Sequence, residues 1–111
     1  MRTVLAAMLA FAASVAFAAE ALPGLPKQRD YGQFRVSLIK QGWQPTKLPG
    51  ADECWEGDKR CTGRAEMFAC AGTGAANCLF IWKKAGTLIE VATKGEEQAM
   101  VSGLRCREGC K

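Results

Sequence analysis

Residues 70–84 read CAGTGAANCLFIWKK and contain the strongest strand pattern in the chain. Between residues 77 and 84, Cys78, Phe80 and Trp82 fall on one side of an extended segment, and the apolar residues between them fall on the other. Apolar residues on both sides predict a central strand that is covered on each face. The glycine-rich residues between the two cysteines predict a tight turn from the preceding strand.

The segments around this strand predict antiparallel neighbours. Residues 65–71 are expected to form the preceding strand, and a turn at residues 85–86 leads into another strand over residues 87–93. Residues 99–106 alternate between apolar and polar positions, which favours a further strand. Residues 96–101 also suit the start of a short helix, and this alternative stays open. The sheet is therefore expected to be a meander of three or four strands.

An amphipathic helix is predicted ahead of the sheet, from Asp30 as N-cap to about Gln41. The residues at helical spacing on its expected buried face are Tyr31, Phe34, Leu38 and Ile39. The predicted fold class is α+β, with one N-terminal amphipathic helix packed on a three- or four-stranded antiparallel meander and stapled by disulfides. Residues 30–111 are expected to form a single domain, preceded by an extended lead-in over residues 19–29.

Residues 1–18 have the pattern of a bacterial Sec-type signal peptide. Arg2 provides the charged start, residues 4–15 the apolar run, and residues 16–18 (Ala-Phe-Ala) the cleavage motif. The apolar run is shorter than the roughly 20 residues that a membrane-spanning helix needs. We therefore expect cleavage after Ala18, no membrane insertion of the mature chain, and a periplasmic or secreted protein.

The charge pattern argues against nucleic acid as a partner. The chain has 15 Lys and Arg residues and 11 Asp and Glu residues, and the basic residues are scattered along it. Nucleic-acid-binding proteins usually concentrate their basic residues into a stripe. We expect no nucleic acid partner, and instead expect another envelope or secreted protein.

Six cysteines in a small exported chain predict three disulfides. The pairs that short loop closure favours are Cys54–Cys61 and Cys70–Cys78, which leaves Cys106–Cys110. The last pair needs a turn, because five extended residues would hold its Cα atoms too far apart. A thiol–disulfide redox role for Cys106 and Cys110 is an open alternative. Only Cys106 and Cys110 have the spacing of paired zinc ligands, and without a second pair or a histidine we expect no metal.

The chain contains no histidine, which removes the common Ser-His and Cys-His catalytic pairs and the usual catalytic zinc sites. The cysteines are expected to be oxidised and therefore unavailable as nucleophiles. We expect a non-catalytic protein without a cofactor. The alternative is a small hydrolase or lytic protein that uses a pair of carboxylates.

The segment around Trp55 is the candidate binding site. Trp55 lies in the ring that a Cys54–Cys61 disulfide would close, together with Lys59 and Arg60. A rigid, presented tryptophan is typical of an interface anchor, so these three residues are the predicted binding residues. The competing interpretation, which the small size of the core favours, is that the indole folds back over the core. The surrounding carboxylates indicate a solvated, salt-bridged loop and lack the order of a calcium-binding loop.

Three motifs with fixed spacing span most of the chain after the predicted cleavage site. They are Tyr31-x2-Phe34-Arg35-x2-Leu38-x3-Gly42-Trp43-x-Pro45, Cys54-x3-Gly57-Asp58-x-Arg60-Cys61 and Cys70-Ala71-Gly72-Thr73-Gly74-x3-Cys78-x-Phe80-x-Trp82. This pattern resembles small exported cysteine-containing bacterial proteins of unknown function. The resemblance implies a periplasmic or secreted α+β domain and carries over no activity and no site residue. The expected function is a protein-binding, inhibitor-like or adaptor module of the cell envelope.

Overall fold

A computed structural model describes residues 20–25 and 30–110 of the chain. Within these residues the protein forms a ten-residue helix, α1 (Tyr31–Lys40), and five strands. The strands are β1 (Gln44–Pro45), β2 (Met67–Cys70), β3 (Cys78–Lys84), β4 (Thr87–Lys94) and β5 (Met100–Glu108). The expected signal peptide lies outside the described residues, as does part of the expected lead-in.

The described chain is mostly antiparallel sheet, so the prediction of an α+β domain with a three- or four-stranded meander is wrong. Strand β3 is central and pairs with β4 along its whole length. Strand β5 follows β4 at one side of the sheet. On the other side of β3, two strands share its length: β2 pairs with its beginning and β1 with its end.

Strand β1 is the element that the sequence prediction omitted. It has two exposed residues, and Pro45 lies directly opposite Trp82 of β3. A two-residue segment with a proline has no alternating pattern, and proline in a sheet is confined to edges and strand ends. The strand exists because β3 extends beyond the end of β2 and leaves backbone groups that a neighbouring segment can pair with.

Helix α1 has the predicted start and nearly the predicted end. The Asp30 carboxylate accepts a hydrogen bond from the Gln33 backbone N–H at 2.9 Å, which satisfies one of the free donors of the first turn. At the other end Gly42 has a φ of 91°, a conformation that favours glycine and turns the chain out of the helix. Ile39, predicted on the buried face, is instead 47% exposed. It lies about 100° around the helix from Leu38, beyond the width of the contact with the sheet.

The helix packs on one face of the sheet and forms the main core with it. The residues of this core that are almost fully buried include Tyr31, Phe34, Leu38, Trp43, Phe80, Trp82, Ile89, Val91 and Val101. The Tyr31 ring stacks on Phe80 with a centroid distance of 4.0 Å. On the opposite face of β3, Ile81 is also fully buried, in agreement with the apolar pattern on both sides of that strand.

A charged residue lies inside this apolar core. Glu66, directly before β2, has no exposed surface. Its two carboxylate oxygens accept hydrogen bonds from Arg35 Nε at 2.9 and 3.0 Å, and one also accepts from the Tyr31 hydroxyl at 3.2 Å. Trp82 Nε1 donates to the Tyr31 oxygen at 3.1 Å. Every polar group in this chain of contacts therefore has a partner, as buried polar groups require.

The Tyr31 hydroxyl stays protonated in this position. Burial raises its pKa well above the ordinary value of a tyrosine, and the nearby Glu66 carboxylate raises it further. The protonated hydroxyl can donate to Glu66 while it accepts from Trp82. Tyr31 thus connects the helix, the residue before β2 and the central strand.

The structure contains three disulfides: Cys54–Cys61, Cys70–Cys78 and Cys106–Cys110. The first two are the pairs that short loop closure favours, and the third is the pair that this choice leaves. Three disulfides in a small domain indicate an oxidising, extracellular type of compartment. Across residues 20–25 and 30–110, no helix has the length and apolar character that a membrane crossing requires.

Replacing Arg35 by Met should destabilise the protein by about 3 kcal/mol, because it leaves the Glu66 carboxylate buried without its cation. Urea unfolding at neutral pH with the disulfides intact would measure this loss. Lys40→Met is the matched control, since Lys40 lies on the same helix and is exposed. Its effect should stay within about 0.5 kcal/mol.

The double variant Arg35→Met/Glu66→Gln separates the charge from the packing. If the unpaired carboxylate causes the loss, removing that charge should restore most of the stability. Equal destabilisation by Arg35→Met and Lys40→Met would contradict a stabilising role for the Arg35–Glu66 pair.

Candidate functional site

The candidate site is built on residues 54–61, which we call the disulfide loop. The Cys54–Cys61 disulfide closes the loop. Within it, the Asp58 N–H donates to the Trp55 carbonyl at 3.0 Å, and Gly57 supplies the positive φ of 83° in this turn. A short covalent ring with an internal turn restricts the conformations of the side chains that it carries.

One arginine ties the disulfide loop to the rest of the domain. Arg60 is 8% exposed and contacts both carboxylate oxygens of Asp58, through Nε at 2.9 Å and NH2 at 2.7 Å. Its remaining terminal nitrogen donates to the carbonyls of Ala71 at 2.7 Å and Ala76 at 3.1 Å. These carbonyls belong to the turn between β2 and β3. The loop and that turn are therefore held together by one arginine.

The three predicted binding residues are placed differently. Trp55 is 84% exposed, so the favoured interpretation, in which its indole folds back over the core, is wrong. Lys59 is also exposed, and its ammonium lies 3.8 Å from Glu97. Arg60 is buried and its donors are occupied within the domain. The structure thus leaves Trp55 and Lys59 accessible and gives Arg60 a structural role.

A groove of about 710 Å³ lies beside the exposed indole. Residues of the disulfide loop and the acidic segment before it form its rim, among them Asp52, Glu53 and Glu56. Met67 of β2 and Cys70 contribute from the sheet side. Sequence reasoning did not connect Met67 and Cys70 with the site, because both match an ordinary strand pattern and no local signal shows what lies over them.

The carboxylates of the groove are better suited to binding a charged partner than to acting as general acids. Asp52, Glu53 and Glu56 are exposed, and Glu53 also lies 3.2 Å from the Lys47 ammonium. The hydrogen bonds from the Arg60 side chain hold the pKa of Asp58 below its ordinary value, so this carboxylate is a poor proton donor. A general acid at neutral pH usually needs a carboxyl group in an apolar enclosure. None of these four carboxylates has such surroundings.

A group of possible metal ligands in the loop has no free ligand atoms. Oxygen of Asp58 and the sulfurs of Cys61 and Cys70 lie within 4.8 Å of one another. Both sulfurs are bonded in disulfides, however, and the Asp58 oxygens accept hydrogen bonds from Arg60. The group is therefore a contact between two disulfides and an ion pair.

The chain matches no family model, no curated protein and no solved structure. A functional interpretation therefore depends on the geometry of the disulfide loop and its groove.

Replacing Trp55 by Phe should remove most of the tryptophan fluorescence that a neutral quencher reaches. The other two indoles are buried, Trp43 at 3% and Trp82 at 0% exposure. Acrylamide quenching of the wild type and of Trp55→Phe would measure the difference as a severalfold drop in the quenching constant. Equal quenching constants would contradict the exposed position of Trp55.

Replacing Asp58 by Asn should weaken the protein at neutral pH by about 2 kcal/mol, because charge-assisted hydrogen bonds to Arg60 are lost. It should also make stability less sensitive to acid. The folded pKa of Asp58 is lowered, so its stabilisation is present above the unfolded pKa and is lost as pH falls through the folded pKa.

Urea midpoints measured from pH 7 down to the acid range would test this prediction. The wild type should lose more stability on acidification than Asp58→Asn does. Glu56→Gln is the control, since the Glu56 side chain is exposed on the same loop. The same acid dependence in the wild type and Asp58→Asn would rule out the proposed contribution of the ion pair.

Proposed function

We propose that this protein is a non-catalytic binding module, an inhibitor or adaptor, that recognises another protein through Trp55 on the disulfide loop. The observation that carries the proposal is the 84% exposure of the Trp55 side chain on a loop that is closed by a disulfide and fastened by Arg60. An exposed tryptophan costs hydration free energy in the unbound protein. A binding partner that covers it would recover that free energy.

The free energy that a partner would gain by covering Trp55 is large enough for an interface anchor. Covering a tryptophan side chain of roughly 200 Å² at about 25 cal/mol per Å² contributes on the order of 5 kcal/mol. The restricted loop reduces the conformational entropy that ordering the side chain on binding would cost. A single preformed anchor of this kind can therefore account for a large part of the affinity of a modest interface.

The charges around Trp55 define the partner that would fit. Asp52 and Glu56 are exposed beside the indole, while Asp58 is neutralised by Arg60. The accessible rim of the groove is therefore acidic. We expect the partner to offer an apolar pocket for the indole with lysine or arginine side chains around it, since such complementarity speeds association and selects partners.

The setting of this interaction would be the periplasm or the extracellular space. The disulfides are consistent with an oxidising compartment, and the expected signal peptide in residues 1–18 favours export. Cross-linked scaffolds of this size commonly present rigid binding loops outside the cytoplasm.

A carboxylate-dependent hydrolase is the second candidate, and the groove itself is the observation that favours it. Several carboxylates line a groove of about 710 Å³, which is large enough for part of a polysaccharide. The exposed positions of Asp52, Glu53 and Glu56 weaken this candidate. Release of reducing sugar ends from cell-wall polysaccharide by the wild type, and its loss in Asp52→Asn or Glu56→Gln, would favour the hydrolase over the binding module.

Replacing Trp55 by Ala should abolish capture of the partner. The oxidised protein, immobilised and crosslinked in envelope extract, would be compared with Trp55→Ala by quantitative mass spectrometry. For a captured protein that is then purified, the Kd should rise at least roughly 30-fold, which corresponds to a loss of about 2 kcal/mol.

Val36→Ala is the matched control for this experiment. Val36 is another apolar residue with 52% exposure, but it lies on helix α1. Capture should survive in this variant. If Trp55→Ala retains the same proteins as the wild type, with unchanged affinity, the proposed role of the disulfide loop is wrong.

A further inference from the structure

Two of the three disulfides lie side by side. The sulfur of Cys61 belongs to one bond and the sulfur of Cys70 to the other, and the two atoms are within 4.8 Å of each other. Thiol–disulfide exchange proceeds by attack of a thiolate on the sulfur of a neighbouring disulfide. A thiolate released at Cys61 would therefore form directly beside a bond that it can attack.

The two disulfides differ in how a reductant would reach them. Cys54 is partly buried and lies in an exposed stretch between Glu53 and Trp55, whereas its partner Cys61 is 2% exposed. The other bond joins Cys70 of β2, which is also partly buried, to Cys78 of β3, which is 1% exposed and paired on both sides. We expect a reductant from solvent to attack the Cys54 sulfur first, because Cys54 lies in an exposed loop whereas Cys70 lies in a paired strand, and this attack releases the Cys61 thiolate.

We propose that Cys54–Cys61 and Cys70–Cys78 form an exchange pair, in which limited reduction by a dithiol converts them into a Cys61–Cys70 disulfide with free thiols at Cys54 and Cys78. The inference concerns the scaffold and does not depend on the proposed binding partner. The adjacent sulfurs of Cys61 and Cys70 would make the structure of the disulfide loop sensitive to reduction.

The electrons and bonds balance in three steps. A thiolate of the dithiol bonds to the Cys54 sulfur, and the Cys54–Cys61 bond breaks to release the Cys61 thiolate. This thiolate bonds to the Cys70 sulfur, and the Cys70–Cys78 bond breaks to leave a Cys78 thiolate, which takes up a proton. The second thiol of the dithiol then displaces Cys54, which leaves as a thiol. The dithiol has lost two electrons, and the protein has exchanged two disulfides for one.

The rearrangement would open the disulfide loop while part of its anchoring remains. After exchange, Cys54 is no longer bonded, so the ring that contains Trp55 is open. The contacts of Arg60 with Asp58 and with the turn after β2 involve no sulfur and can persist. The expected product is a folded domain with a freer Trp55.

Tryptic mapping can distinguish the two states, because the cysteines fall on separable peptides. Cleavage after Lys and Arg places Cys54 on residues 48–59, Cys61 on residues 61–64, and both Cys70 and Cys78 on residues 65–83. In the oxidised protein, residues 61–64 are linked to residues 48–59. After exchange they are linked to residues 65–83, and residues 48–59 become free.

The wild-type protein would be treated with graded dithiothreitol under native conditions, quenched in acid, alkylated and mapped. At partial reduction we expect alkylated Cys54 and Cys78 together with the linkage between residues 61–64 and 65–83. Alkylation of Cys54 and Cys61 with an intact Cys70–Cys78 bond would overturn the proposal. So would reduction of both bonds without the new linkage.

A matched pair of variants tests the same step without a reductant. Cys54→Ser leaves Cys61 as the free thiol beside Cys70, so we expect a fraction of Cys61–Cys70 disulfide with alkylatable Cys78. Cys61→Ser leaves the thiol at Cys54, outside the group of adjacent sulfurs, and should keep Cys70–Cys78 intact. Equal rearrangement in both variants, or none in Cys54→Ser, would contradict the proposed exchange.

Discussion

The buried carboxylate of Glu66 is the constraint on which the arrangement of the domain depends. A charge without solvent contact is tolerated only with a cation and hydrogen-bond donors around it, and each must come from a fixed direction. Arg35 and Tyr31 supply these groups from consecutive turns of helix α1. Trp82 then donates to Tyr31 from the central strand. The position of the helix over the sheet follows from these contacts as much as from apolar packing, because a shift of one turn would leave the carboxylate unpaired.

The same physical logic recurs at the disulfide loop. Arg60 is buried there against Asp58 and two backbone carbonyls, and so an irregular segment with little apolar surface keeps a defined place on the domain. Arg60 stabilises this arrangement because each of these buried polar groups then has a hydrogen-bond partner. In both places an arginine joins segments that are distant in sequence, which local periodicity does not encode.

The features predicted correctly from sequence are those that short-range patterns determine. Helix α1 follows from an N-cap at Asp30 and a glycine at its end, and β3 follows from its alternation. Two of the disulfide pairs follow from the cost of closing loops, and Cys106–Cys110 follows as the remaining pair. The fold class was wrong because strand β1 has no pattern of its own and exists only opposite β3. Burial of Glu66 could not be predicted from the sequence either, since a glutamate before a strand normally faces solvent.

For the candidate site, the sequence indicated the correct loop but not the part that each residue plays. Trp55 and Arg60 are five residues apart in one ring, yet one side chain is exposed and the other is buried. The difference arises from the turn between β2 and β3. The carbonyls of this turn accept hydrogen bonds from Arg60, and only the folded sheet brings them within its reach. The disulfide loop is therefore held by two restraints of different chemistry. One is a covalent bond that reduction removes, and the other is the set of hydrogen bonds from Arg60, whose side chain is oriented by an ion pair with Asp58 that acid weakens. Because the Arg60 hydrogen bonds to the turn between β2 and β3 do not involve the disulfide, loss of the covalent bond changes the presentation of Trp55 without requiring the sheet to unfold.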